Sequence, residues 1–386
     1  MLKLYTMLIG VPKETYPNEK RVSLVPSEVK KLTSGGTEVL VEEGAGSMAG
    51  FEDDEYIKAG AKVVKREEVF DKSHIILKVR GLTADRESFL REKELYRGKT
   101  VIGFLEPFEV GDVLNEVREL RITAFAIELV PRITRAQSMD ALSSMATVAG
   151  YRSVLIAAGL LPKMFPMLMT AAGTVLPAKV FIVGAGVAGL QAIATAKRLG
   201  AVVSAYDIRP AAKEQVLSLG AKFVELGLES EELEDRSGYA KAMGEEFYKK
   251  QREKMMQVVG ESDVVITTAT VPGKKAPILI TEEMVRGMKD GSVIVDLAAE
   301  RGGNCELTVS GKTVERYGVK IVGAVNLPSE VPYDASLMYS KNIYNFLNLL
   351  MKDSDIEDEI LRETLLLREG ELVNERIKEH LSAGGS

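Results

Sequence analysis

A glycine-rich turn between two apolar runs is the feature that most constrains how this 386-residue chain can fold. Residues 180–189 read VFIVGAGVAG, and Asp207 follows the last glycine by 18 residues. A β-branched strand, a glycine turn, an apolar helix and a second strand ending in an acid form the arrangement of a dinucleotide site. Glycines alone would also suit a tight turn that binds nothing, but here the strand, the helix and the acid agree in spacing. The sequence therefore predicts a dinucleotide-binding Rossmann-like domain.

Each glycine of this turn has its own predicted role. Gly184 permits the tight turn, Gly186 lets backbone N–H groups approach a pyrophosphate, and Gly189 lets the helix pack close to the strand. The pyrophosphate would lie at the helix N-terminus, where backbone N–H groups point at an anion. The nucleotide-binding residues predicted from this region are Gly184, Ala185, Gly186, Val187, Ala188, Gly189, Asp207, Ile208 and Arg209.

The acid at the end of the second strand predicts which nucleotide binds. Asp207 is placed to accept hydrogen bonds from the adenosine ribose hydroxyls, and its charge repels a 2′-phosphate. NAD(H) is therefore favoured over NADP(H). Arg209 argues in the opposite direction, because an arginine at this strand end can bind a 2′-phosphate.

Composition excludes several classes of function. A net charge of −6 provides no basic field for a phosphate backbone, so no nucleic-acid partner is expected. One cysteine and two histidines cannot form an internal disulfide or a zinc centre, so no metal is expected. We expect no segment with the roughly 18 to 20 apolar residues of a membrane span, and no cleavable leader. A cytoplasmic protein is predicted.

Strand-like and helical runs alternate along both halves of the chain, which favours parallel sheets. Residues 142–160 and 335–352 carry apolar residues at helical spacing, and the charged tail from Asp353 is expected to be helical. The predicted fold class is α/β, with two Rossmann-like doubly wound domains, a cleft between them and two long linking helices. The first domain would comprise residues 1–142 plus 330–386, and the second residues 143–329, with a mobile loop over 225–256.

A second group of polar residues precedes the first long helix, in the segment RITRAQSMDALSSMA. Arg132, Gln137, Asp140 and Ser143 stand where a strand turns into that helix, and such a loop can present charge, an amide and a hydroxyl to a ligand. A helix cap explains the same residues, with Ser138 or Asp140 as the cap and Arg132 paired with Asp140 on the surface. The residues alone leave both interpretations open.

Motifs along the whole chain resemble the NAD(H)-binding component of proton-translocating NAD(P) transhydrogenases, in the alanine dehydrogenase/transhydrogenase family. They include GVPKE at residues 10–14, NEKRVSLVP at 18–26, the RxxxxQxxDxxS loop, and NIYNFLNLL at 342–350. Between these lie the glycine turn, SGYAKAM around Tyr239, TTATVPGKKAP and GGNCELT. The RxxxxQxxDxxS loop and SGYAKAM are far more specific than the glycine turn.

The resemblance implies roles for particular residues. Arg132 and Asp140 would pair to shape their loop, with Gln137 and Ser143 near the nicotinamide and its ribose, and these four would form the catalytic set. Tyr239 would lie at the tip of the mobile loop, which closes over bound nucleotide. Thr268 and Ala269 would join the nucleotide-binding residues.

The resemblance also implies the reaction and its partners. NADH would be a substrate nucleotide that passes hydride to NADP⁺ on a separate NADP(H)-binding subunit, and a membrane-spanning subunit would couple the transfer to proton translocation. The chain would form a homodimer and associate peripherally with the inner membrane through its partner subunits.

Two alternative functions remain open from the sequence. An alanine dehydrogenase-like oxidoreductase would share GVPKE and an arginine matching Arg21, but its lysine, histidine and aspartate are replaced by Arg80, Glu106 and Glu300. Deamination needs groups that exchange protons, and an arginine is too basic to do so near neutral pH. The surviving Arg21 also suits a structural ion pair. A non-enzymatic NAD-binding regulatory protein is the other alternative.

Overall fold

The structure, a computed structural model, describes residues 7–227, 245–271, 273–353 and 356–383. The chain divides into two compact units. The first unit combines Met1–Met145 with Pro328–Ser386, and the second unit is Ala146–Leu327. The chain therefore leaves the first unit, forms the second, and returns to complete the first.

The strands of the described residues are β1 (Leu8–Val11), β2 (Glu38–Glu42), β3 (Lys62–Val64), β4 (Ile75–Arg80), β5 (Thr100–Phe104), β6 (Thr123–Ala126), β7 (Leu168–Thr170), β8 (Gly173–Val175), β9 (Lys179–Val183), β10 (Val202–Tyr206), β11 (Lys222–Phe223), β12 (Val264–Thr267), β13 (Val293–Asp296), β14 (Thr313–Arg316), β15 (Val319–Gly323), β16 (Leu365–Arg368) and β17 (Glu371–Leu372).

The helices of the described residues are α1 (Pro26–Ser34), α2 (Asp53–Lys58), α3 (Arg66–Lys72), α4 (Arg86–Glu92), α5 (Leu114–Glu119), α6 (Ala141–Leu160), α7 (Val187–Arg198), α8 (Ala212–Ser218), α9 (Glu245–Glu261), α10 (Glu282–Arg286), α11 (Pro332–Lys352), α12 (Glu359–Thr364) and α13 (Glu375–Ala383).

The first unit is built on one mainly parallel sheet. Its strand order is β17-β16-β6-β5-β4-β1-β2-β3, and the strands from β6 to β3 pair in parallel. Read from β3 to β6, this is the 3-2-1-4-5-6 order of dinucleotide-binding folds. The parallel α/β sheet predicted for the first 130 residues is confirmed.

The C-terminal tail extends this sheet, and the prediction that it would be helical throughout was wrong. Between α12 and α13 the chain forms the antiparallel hairpin β16–β17, and β16 pairs with β6. Leu366 and Leu367 on β16 are fully buried. Glu369 and Gly370 both have positive φ, which is the turn chemistry of a two-residue hairpin. The frequent charges that flank this short apolar run conceal it in the sequence.

The second unit also has a Rossmann-like sheet, with its core on both faces. The strand order is β11-β10-β9-β12-β13-β15-β14, and only the edge strand β14 runs antiparallel to its neighbour among these described strands. Val180 and Ile182 of β9 pack into one core cluster, and Phe181 and Val183 pack into another. Burial on both faces explains why this strand is a continuous apolar run rather than an alternating one.

The long helix α6 matches the helix expected over residues 142–160 and contains the boundary between the two units. Gly150 lies against the start of α7, since a Cβ built there would be 2.1 Å from the Ala188 carbonyl oxygen. Among the described residues, α6 is also the helix long and apolar enough to cross a membrane by length and composition, so the expectation of no such segment was wrong. Arg152 interrupts its apolar run and thereby conceals its length in the sequence. Val154 and Ala157 are fully buried in the second unit's core.

The second expected long helix, over residues 335–352, is α11. It begins at Pro332, a residue suited to the first helical turn because its missing N–H has no partner there in any helix. It lies wholly within the first unit. Ser336 and Ser340 accept hydrogen bonds from the backbone N–H groups of Val22 and Val25, so α11 fixes the segment that precedes α1.

Part of the loop expected over residues 225–256 is helical. Helix α9 covers Glu245–Glu261, so the loop prediction was wrong for residues 245–256. Gln251, Met255 and Val259 are buried at a spacing of four residues, and this contact holds the helix on its unit. Tyr239 lies outside the described residues.

Candidate nucleotide-binding site

The glycine turn between β9 and α7 is closely packed at two of its three glycines. Gly184 has a φ of 99°, a conformation that L side chains rarely adopt, and a Cβ there would lie 2.5 Å from Thr268 Oγ1. A Cβ on Gly189 would lie only 1.9 Å from the Gly184 carbonyl oxygen. These contacts give Gly184 the tight turn and Gly189 the close helix packing that their positions predict.

Gly186 differs from the other two because its missing side chain leaves open space. Of the described residues, only Arg209 comes within 4 Å of a Cβ built on Gly186, with its Nη2 at 3.9 Å. Gly186 has an extended backbone and is the N-cap of the twelve-residue helix α7. Its backbone and the helix N-terminus therefore remain approachable by an anionic group.

Asp207 connects the turn to Arg209. It is 6% exposed, and its Oδ2 accepts a hydrogen bond of 2.7 Å from the Ala185 N–H. Its two oxygens also accept from the Arg209 backbone N–H, Nε and Nη2, each at 2.9 Å. The acid predicted to bind ribose is thus held in a bidentate pair with the arginine two residues on. Its contact with ribose stays a prediction, and Ile208 between the two packs against the core.

Thr268 and Ala269, at the end of β12, are brought to the glycine turn. The Thr268 N–H donates to the Val183 carbonyl at 2.9 Å, and its Oγ1 donates to the Gly184 carbonyl at 3.1 Å. Ala269 is held by Asn304, whose side chain accepts from the Ala269 N–H and donates to the Ala269 carbonyl. These bonds fix the loop after β12 beside the glycine turn.

The sequence reasoning missed Asp296, which organises this edge of the sheet. Asp296 is fully buried at the end of β13. Its carboxylate accepts hydrogen bonds of 2.7 to 3.0 Å from Thr267 Oγ1, Ala298 N, Asn304 N, Cys305 N and Thr308 Oγ1. The available clue was an acid closing the apolar run SVIVDLA, at the carboxyl end of a strand where ligands of such folds bind. Asp296 is a positioning residue, because it places Asn304.

In the first unit, the loop before α6 is rigidly supported. Residues Thr134–Met139 form a short 3-10 helix in which Ala136 and Met139 are buried. The Ser138 carbonyl accepts hydrogen bonds of 3.0 Å from the side-chain amides of Asn342 and Asn345 on α11. Gln137 is exposed on this supported turn.

Asp140 acts as the helix cap that the sequence left as one of two interpretations. Its Oδ1 accepts from the Ser143 N–H at 2.8 Å, and its Oδ2 accepts from the Ser143 hydroxyl at 2.5 Å. Arg132 is exposed on the same loop, and its pairing with Asp140 stays a prediction. The four residues of the RxxxxQxxDxxS loop all fall in the first unit, whereas the glycine turn, Asp207 and Thr268 fall in the second.

Arg21 is engaged in a buried ion pair, as its structural interpretation predicts. Its Nε and Nη2 donate to the two carboxylate oxygens of Glu19 at 2.7 and 2.6 Å, and both side chains are almost fully buried. Arg80 lies near the same carboxylate, with Nε 3.7 Å from Glu19 Oε2, and its guanidinium stacks 4.4 Å over the Tyr16 ring. These arginines stabilise the packing of the first unit.

The other two positions that differ from an alanine dehydrogenase pattern lie in different units. Glu106 has a φ of 50°, and its N–H donates to Glu128 Oε1 at 2.7 Å. Burial, and secondarily the charge of Glu106, raises the pKa of the Glu128 carboxyl to about 8. Glu300 is exposed in the short helix that follows β13. Among the described residues, no group of three or more metal-ligating side chains is found.

Comparison with known proteins places both halves of the chain. Models of the alanine dehydrogenase/PNT N-terminal and C-terminal domains match residues 10–149 and 153–375. The first of the alpha-subunit chains of NAD(P) transhydrogenase from Rhodospirillum rubrum is 48% identical over 379 residues, which cover 95% of this chain and 98% of that protein.

Two solved structures share the fold. A transhydrogenase from Sinorhizobium meliloti superposes with a TM-score of 0.83 at 44% identity, covering 96% of this chain and 99% of that one. An L-alanine dehydrogenase superposes with a TM-score of 0.81 at 28% identity, covering 98% and 99%. The resemblance inferred from the motifs and the Rossmann-like two-domain fold are both confirmed. The chain belongs to the alanine dehydrogenase/PNT family.

Proposed function

We propose that this chain is the NAD(H)-binding component of a proton-translocating NAD(P) transhydrogenase. It would bind NADH as a substrate and present it for direct hydride transfer to NADP⁺ held by a separate subunit. The observation that carries this proposal is the 48% identity to a transhydrogenase alpha subunit along nearly the full length of both chains. The open backbone at Gly186 and the ordered loop after β12 support nucleotide binding in the second unit.

Direct hydride transfer asks little of the protein beyond placement. A hydride passes between the C4 atoms of two nicotinamides, so no side chain must exchange a proton with substrate, and proximity and orientation carry the catalysis. The arginines support this view, because Arg21 is neutralised by Glu19 and Arg80 stacks on Tyr16. In the proposed roles, Gly184, Ala185, Gly186, Val187, Ala188, Gly189, Asp207, Ile208, Arg209, Thr268 and Ala269 bind the nucleotide.

The sister activity gives the first test. The pure chain is expected to quench or shift NADH fluorescence on binding, yet to reduce no NAD⁺ when L-alanine is added, because the proton-exchanging set is replaced. An alanine dehydrogenase assayed in parallel controls for the substrates. Alanine-dependent NAD⁺ reduction by the pure chain would overturn the transhydrogenase assignment in favour of amino-acid oxidation, and absence of NADH binding would overturn both.

Gln137 is proposed to place the nicotinamide ring, with Arg132, Asp140 and Ser143 completing the catalytic set. Its support is the exposed amide on a turn that Asn342 and Asn345 hold through the Ser138 carbonyl. The cap made by Asp140 and Ser143 fixes where α6 begins, and therefore where this turn ends.

Replacing Gln137 by asparagine should slow hydride transfer more than it weakens NADH binding. The variant keeps the amide but withdraws it by one methylene, and a misplacement of about 1 Å can cost up to about a hundredfold in rate. Single-turnover transfer to NADP⁺ on the partner subunit should fall roughly tenfold or more, while the Kd for NADH changes within about twofold. Ser138→Ala is the matched control, because it keeps the backbone carbonyl that Asn342 and Asn345 bind. Unchanged transfer in Gln137→Asn would remove the assigned role.

We further propose a homodimer that associates with an NADP(H)-binding subunit and a membrane-spanning subunit. An exposed apolar hairpin in the second unit supports association with another protein surface. Its strands β7 and β8 are exposed along their whole length, and Met169 and Leu176 are 79% and 69% exposed. The chain would then lie on the cytoplasmic side of the inner membrane, held there through its partners.

A further inference from the structure

We propose that Arg209 is a latent 2′-phosphate site that Asp207 holds closed, so that the preference for NAD(H) is set by the pair rather than by Asp207 alone. The inference rests on the proposed nucleotide-binding function and names the residue that determines its specificity. An arginine at this strand end suits NADP(H), and an acid suits NAD(H). This chain carries both, and the structure shows how they are combined.

The first observation is that the guanidinium already holds a carboxylate. Arg209 Nε and Nη2 each donate to a different oxygen of Asp207 at 2.9 Å, in the fork geometry that also binds phosphate. The side chains of Arg209 and Asp207 are only 18% and 7% exposed, so the pair is weakly screened by solvent. A phosphate that approached Arg209 would meet the Asp207 charge at the same place.

The second observation is where the pair lies. Arg209 Nη2 is 3.9 Å from the position of a Cβ on Gly186, and Asp207 Oδ2 accepts the Ala185 N–H at 2.7 Å. The guanidinium therefore stands directly beside the turn that a dinucleotide would use. A group on the ribose close to Asp207 must also be close to Arg209.

Removing the charge of Asp207 while keeping its shape separates the two residues. In Asp207→Asn, the amide oxygen can still accept the Ala185 N–H, which maintains the turn, but the charge that neutralises Arg209 is gone. The Kd for NADPH is then expected to fall by about tenfold or more, since a charge-assisted pair of this kind is worth about that factor. The Kd for NADH should rise, because the ribose loses an anionic acceptor.

The test is a fluorescence titration of NADH and NADPH against four proteins: the wild type, Asp207→Asn, Arg209→Gln and the double variant. We expect tighter NADPH binding in Asp207→Asn alone, and loss of that gain in the double variant. Should Asp207→Asn fail to fold, Asp207→Ser carries the same test, because its hydroxyl can also accept from Ala185.

Other outcomes would overturn the inference. NADPH binding that is no tighter in Asp207→Asn would show that Arg209 is not a latent phosphate site. A gain that persists without Arg209 would show that another group binds the phosphate. A wild type that binds NADH while either result holds leaves the proposed function standing, whereas a wild type that binds neither nucleotide would overturn the proposed function and this inference together.

Discussion

Replacing Gly189 by alanine is expected to destabilise the second unit and abolish NADH binding. The new Cβ would lie 1.9 Å from the Gly184 carbonyl oxygen, a backbone atom that cannot rotate away. Gly184 itself is fixed by its positive φ and by Thr268, so the strain cannot be relieved locally. Overpacking of this kind costs typically 1–3 kcal/mol and more against backbone, so we expect a loss of about 3 kcal/mol. Urea unfolding and an NADH titration measure the two effects.

Gly186→Ala is the matched control, and it should separate folding from binding. The nearest described atom to its Cβ would be Arg209 Nη2 at 3.9 Å, and its φ of −74° suits alanine. The free energy of unfolding should therefore change by less than about 0.5 kcal/mol. The Kd for NADH should nevertheless rise by roughly tenfold or more, because the methyl group occupies space that the pyrophosphate needs. Wild-type affinity in Gly186→Ala would mean that no nucleotide approaches this turn. Equal stability losses in both variants would contradict the assigned packing.

The parts of the fold that the sequence predicts are those set by local chemistry. The turn at Gly184 depends on one backbone conformation and on a strand and helix adjacent in the chain, so its spacing alone identifies it. The parallel sheets follow from alternating strand and helix runs. The hairpin β16–β17 escaped prediction because only three buried leucines separate it from the charged helices around it.

The parts of the candidate site that the sequence does not predict depend on contacts between distant segments. Asp296 gains its importance only when β13 lies beside β12 and brings Asn304 to Ala269. Likewise, Asn345 supports the loop at Ser138 from a distance of 207 residues along the chain. Arg209 was visible in the sequence as a conflict with Asp207, and the structure resolves that conflict as an ion pair.

The pure chain is expected to bind NADH but to show negligible transhydrogenation until the NADP(H)-binding subunit is added. In the proposed mechanism this chain supplies one nicotinamide, and the acceptor ring is held by the other protein. Bringing two reactants into contact contributes most of the acceleration in such a reaction, so the rate should rise by on the order of a hundredfold or more on mixing. Heat-denatured partner subunit is the control for carried-over nucleotide.

The most direct test of the proposed hydride transfer follows deuterium from C4 of NADH in that mixture. NADH labelled with deuterium at the transferred position is combined with NADP⁺, this chain and the NADP(H)-binding subunit, and the NADPH formed is analysed by mass spectrometry. Direct transfer between nicotinamides predicts that the deuterium appears at C4 of NADPH, with no loss to solvent and no product when either protein is omitted. Deuterium lost to water, or NADPH formed by this chain alone, would contradict direct transfer between two subunits.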